Sequence, residues 1–192
     1  GGCATHTADS AQLTERVLGL PDSVRVSDRW QEPPKGILDT ALWPERLRPT
    51  AAALRLLPGD IDRTALAEFH PPLAALPATH PQRAAIAALL AHTASQHALA
   101  VHILEHEPWD FAAVHYAGLA SFSRRFMPFV PPYRSPAADE HATALAGVVD
   151  AAYAFFDLML ARLLDLASTD AHIMLVSNHG FATGAARPTH TS

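Results

Sequence analysis

A single cysteine, Cys3, occurs in 192 residues, so no internal disulfide framework staples the chain. Lysine is almost as scarce: Lys35 is the only one, and the other 13 of the 14 basic residues are arginine. Against 19 acidic residues this leaves a net charge of −5, which excludes the electropositive surface that nucleic acid requires. No glycine-rich phosphate loop is present, since Gly180 and Gly184 have the wrong spacing and no lysine follows them. Aromatic residues make up 7%, and Trp30, Trp43 and Trp109 are too scattered for a base-stacking platform. Repeats and low-complexity tracts are also missing, and no signal-peptide pattern is read at Gly1-Gly2-Cys3. What is there is 49% hydrophobic and 17% charged, enough apolar side chain for a sizeable core and too much for a disordered chain.

Residues 1–80 are mixed and punctuated by proline. Residues 23–27 alternate like a short strand, and residues 28–36, with Pro33, Pro34 and Gly36, read as loop. A short helix is expected within residues 44–57, and a second from Asp62, as its cap, to Phe69. Residues 81–107 then predict a long helix, apolar on nearly every face and therefore buried, with Pro108 ending it. Residues 109–116 read as a buried strand, 121–129 as a short helix or turn, and 138–167 as a second long helix. Asp150, Asp157, Arg162 and Asp165 interrupt its apolar run, so no membrane-spanning segment is expected there. A last strand is expected at residues 171–176. Helix, strand, helix, strand over 81–192 predicts an α/β domain with parallel neighbouring strands.

In such domains ligands sit beyond the carboxyl ends of the strands. Two ends qualify: the segment after Tyr116, and Ser177-Asn178-His179-Gly180. In the second, an apolar strand delivers two polar side chains and a glycine. His179 there could ligate a metal or carry protons, or, with Asn178, simply satisfy the backbone of a tight turn.

Val176-Ser177-Asn178-His179-Gly180-Phe181 resembles the Val-Ser-Asp-His-Gly-Phe signature of the alkaline phosphatase superfamily, in its type I phosphodiesterase/nucleotide pyrophosphatase branch. Residues 106–111, leading into Ala113-Val114, are similar to the family's preceding strand. The helix with Tyr153, Asp157 and Leu160 resembles the one before its signature. The segments Val26-Ser27-Asp28-Arg29 and Ala4-Thr5-His6 are also family-like. The resemblance implies a three-layer α/β/α sandwich with a largely parallel sheet, here partial. It implies two metal ions, usually zinc, flanking a Thr or Ser nucleophile, and a small phosphate ester as substrate. The nucleophile and the last His ligand of the family have no counterpart in these residues. The chain, starting at Gly1 and ending at Ser192, is therefore expected to be the middle of a larger domain, completed by its flanking parts.

The sequence also departs from the pattern. The family's Asp-x-x-x-His metal motif aligns with Ala120 and Arg124, and the Asp often preceding it with Ala117. Alanine has no donor atom, and arginine does not lose its proton to bind a metal. Asn178 replaces the signature aspartate, a weaker zinc ligand for want of charge, so His179 alone survives as a good one. These substitutions predict an inactive relative, with a non-catalytic phosphate-binding or scaffold protein as the alternative and Arg124 as a grip for phosphate or an ordinary surface charge. A third reading is an inverted-zincin peptidase, because His102, Glu105 and His106 fit H-x-x-E-H and Glu140 could add a ligand. His92 and His97 are expected as polar positions on a mostly buried helix. Compartment stays open.

Overall fold

The computed structural model describes residues 25–26, 42–131, 141–177 and 179–181. Its contacts divide the chain into two compact units, Gly1–Arg55 and Leu56–Ser192. In the first, strand β1 (Arg25–Val26) pairs antiparallel with β2 (Leu42–Trp43), Arg25 opposite Trp43 and Val26 opposite Leu42. The strand expected over 23–27 is thus present at its centre, and the rest of it lies outside the described residues, as does the loop at 28–36. After Pro44 a 3-10 turn, Glu45–Leu47, leads into helix α1 (Arg48–Leu54), which carries a proline in its first turn.

The second unit is built from helices. Helix α2 (Arg63–Phe69) starts where Asp62 Oδ1 accepts the Ala65 N–H at 2.8 Å, a cap worth about 0.5–2 kcal/mol. Helix α3 (Pro81–His106) has proline in its first turn and stops two residues before Pro108, which cannot continue it. Helix α4 (Gly118–Phe126) is prolonged by a 3-10 turn, Met127–Phe129. The long helix expected over 138–167 is divided, among its described residues, into α5 (Ala142–Ala146) and α6 (Val148–Leu166). The break falls at Gly147, where the His70 ring lies so close that a Cβ has no room.

Leu66, Leu73, Ile86, Leu90, Phe122, Phe126, Leu145, Val148 and Ala152 form one buried core drawn from α2 through α6 and the 3-10 turn Pro71–Ala75. Phe69 stacks on Phe122 with ring centroids 5.6 Å apart and meets Phe155 edge-on at 6.0 Å. Helices α3, α4 and α6 pack on one another. Ser95, buried on α3, donates to the Ala91 carbonyl at 2.6 Å and accepts the Leu56 N–H at 2.8 Å. A buried hydroxyl therefore ties the start of this unit to the middle of its longest helix.

The α/β sandwich with a largely parallel sheet is not what forms. Among the described residues the one ladder is the short antiparallel β1–β2 pair, and the rest is mostly helical. Residues 109–116 and 171–176, expected as strands, are non-helical and unpaired. They leave Phe111 71%, Met174 84% and Leu175 82% exposed. Apolar, β-branched sequence favours an extended backbone, but a strand exists only where a neighbour accepts and donates along the ladder. Here α3, α4 and α6 pack on each other instead, and the Trp109 indole N–H donates to the Leu104 carbonyl at 3.2 Å, at the end of α3. By length and composition alone, α3 and the 142–166 stretch are apolar enough to cross a bilayer, a test that core helices also pass.

Candidate functional site

Residues 109–117 deliver the chain to the start of α4, and the side chains there come from α3 and α6 as well. Thr93, Gln96 and His97 lie at i, i+3 and i+4 on α3, hence on one face. Tyr116 donates its hydroxyl to His97 Nδ1 at 2.7 Å, and the Gln96 side-chain amide donates to the His115 carbonyl. Tyr116 also meets Phe156 of α6 edge-on, with centroids 5.7 Å apart. Thr93 Oγ1 and Gln96 Oε1 are buried without a hydrogen-bond partner among the described residues. Burial pushes the His97 imidazole below its ordinary value, with Arg162 adding to the effect, and pushes the Tyr116 phenol far above its own. Both are neutral near pH 7, which suits a hydrogen bond from phenol to ring nitrogen.

Ala120 and Arg124, the positions aligned with the Asp-x-x-x-His motif, lie one turn apart on α4. Ala120 is half-buried and Arg124 exposed, whereas the neighbouring Arg125 Nε donates to Gln82 Oε1 at 2.8 Å. Ala117 precedes the helix, and its carbonyl accepts the Ser121 hydroxyl at 3.1 Å. His179 is exposed and in contact with its own neighbours. Ser177 Oγ donates to its carbonyl at 2.7 Å, its Nδ1 donates to the Gly180 carbonyl at 3.3 Å, and its ring meets Phe181 edge-on. Asn178 lies outside the described residues. Among those that are described, no group of three or more His, Cys, Asp or Glu is arranged to hold a metal.

The H-x-x-E-H residues occupy the last turn of α3, where Glu105 is engaged by the Arg162 guanidinium. A carboxylate held in an ion pair is poorly placed as a peptidase base, and Glu140 lies outside the described residues.

The family model for type I phosphodiesterase / nucleotide pyrophosphatase matches residues 21–191. The chain belongs to that family. Its match runs through both the segment before α4 and the His179 loop, the two places where the sequence resembles the family's motifs. No curated protein and no solved structure matches the chain. The polar seam of Thr93, Gln96, His97 and Tyr116 was not singled out by sequence reasoning. Its one signal is the i, i+3, i+4 spacing of Thr93, Gln96 and His97 on a helix with several other polar residues.

His70 is also pushed below its ordinary value, mainly by burial, although a bond with the Ala144 backbone and the charge of Asp150 act the other way. For both histidines the neutral form is favoured by folding. Above about pH 6.5 the folded and unfolded chains bind the same protons at these sites, and below it the unfolded chain binds more. Stability is therefore expected to be full near neutrality and to fall as the pH drops through the folded-state values. Melting temperatures measured between about pH 7.5 and 5.5 should decline, and His97→Gln should flatten the slope. A melting temperature independent of pH in both proteins would contradict the burial-based origin of the shifts.

Proposed function

We propose that this member of the phosphodiesterase/pyrophosphatase family does not hydrolyse phosphate esters. The observation that carries the reading is the donor set on α4. At the two positions where the family pattern places a metal-binding Asp and His, this chain presents Ala120 and Arg124, one turn apart. A methyl group donates no electron pair, and a guanidinium is a permanent cation that repels a metal ion. With Asn178 as a neutral amide, His179 remains as one good ligand, and tight zinc sites use three or four. The family's two-zinc centre does not fit these residues.

What the residues can still do is recognise a phosphate ester. Arg124 offers a planar fork of donors that matches phosphate geometry, and its side chain is exposed on the helix that follows the 109–117 segment. That supports a non-catalytic binding or scaffold role.

Zinc analysis of the purified chain after dialysis is expected to find little metal, and p-nitrophenyl phosphate and its bis ester should turn over at background. The triple substitution Ala120→Asp, Arg124→His and Asn178→Asp is expected to restore zinc retention in a full-length chain that carries the flanking parts of the domain. Near-stoichiometric zinc surviving dialysis in the unmodified chain, or turnover above background, would overturn the proposal.

A further inference from the structure

The last turn of α3 carries a feature separate from the positions aligned with the family's motifs. His102 and His106 stand at i, i+4, and their rings lie nearly face to face, with centroids 4.2 Å apart and planes inclined by 23°. The Nδ1–H of His106 donates to the His102 carbonyl at 2.8 Å. That bond assigns the proton to Nδ1 and leaves the lone pair of Nε2 outward, the arrangement that orients metal-binding imidazoles. His106 is exposed and His102 half-buried, so an ion has open access. Of the two glutamates that flank His106, Glu105 is engaged by Arg162 and Glu107 is the C-cap of α3, and the two imidazoles supply the nitrogen donors.

We propose that His102 and His106 form a surface chelate for a divalent transition-metal ion of the copper, nickel or zinc class. Two metal–nitrogen bonds of about 2.0–2.1 Å to one ion set the ligating nitrogens about 3 Å apart, so the two adjacent rings turn out of their parallel stack for their lone pairs to converge on it. Histidines at i and i+4 on a helix are a recurrent zinc-binding pair. The site lies at the C-terminal end of α3, where the helix dipole favours positive charge. Neutral imidazole suits copper, nickel and zinc, and copper(II) binds such donors most tightly. Water fills the other positions. An ion held by two side chains exchanges readily, so this site is compatible with a chain that retains no zinc through dialysis.

Titrating the full chain with copper(II) tests the proposal, with calorimetry for affinity and electron paramagnetic resonance for the ligands. The unmodified chain should bind one ion at this site and show nitrogen coupling from two imidazoles. Outer hydrogen-bond partners alone are worth about 10–100-fold in metal affinity, so losing a ligand should weaken binding at least about tenfold. His102→Gln and His106→Gln are each expected to do so, with the far-ultraviolet helix signal unchanged. His179→Ala should bind as the unmodified chain does. Equal binding by both glutamine variants would overturn the proposal, and so would binding lost in His179→Ala alone.

Discussion

Replacing Phe122 by alanine is expected to destabilise the second unit by about 3–5 kcal/mol, a large part of the roughly 5–15 kcal/mol that holds a typical domain folded. The side chain is fully buried, stacks on Phe69 of α2 and lies 6.3 Å from the ring of Phe126. Truncation removes apolar area and opens a cavity among α2, α4 and the helices packed on them, which close neighbours refill only in part. Phe111 provides the control, being the same residue type at 71% exposure. Phe111→Ala should change stability by no more than about 0.5 kcal/mol. Urea denaturation followed by the helix signal measures both. Equal losses from the two variants would show that Phe122 is not the core residue the structure makes it.

Gly118→Val should also cost stability, through space and not through backbone conformation. A Cβ at Gly118 collides with Thr93 Oγ1 and lies 2.9 Å from Phe156 Cζ, so α3 and α6 both press on the first residue of α4. Alanine would gain up to about 1 kcal/mol of helix propensity against an overpacking cost of about 1–3 kcal/mol, so its net effect runs from about zero to a loss of about 2 kcal/mol. Valine forfeits most of that gain and adds two methyl groups, and the loss is then unambiguous. Thr93 is buried and short, so it cannot swing away as a lysine would. Thr93→Ala removes the colliding hydroxyl and should recover part of the loss. The double-mutant coupling is expected at about 0.5–3 kcal/mol, as for residues in contact. A fully additive pair would mean that the two residues do not meet.

Much of the helical framework was legible in the sequence because its signals are local. The run from Pro81 to His106, the Asp62 cap and the stop before Pro108 depend on residues within a turn of one another. The close approach of His70 to Gly147 was not legible, because the two residues are distant in sequence. The candidate site divides in the same way. Ala120, Arg124 and His179 are expectations from residue type and order along the chain. The Tyr116–His97 bond joins positions 19 apart that no short motif connects.

The sequence by itself determined the family and where most helices begin and end. Each is a property of residue order or of neighbours along the chain. The tertiary structure decided that residues 109–116 and 171–176 are unpaired in place of a parallel sheet. It also decided that Glu105 is engaged by Arg162, 57 positions away. Those outcomes depend on which distant groups come within hydrogen-bonding and packing distance, and an apolar stretch of sequence does not specify its partner.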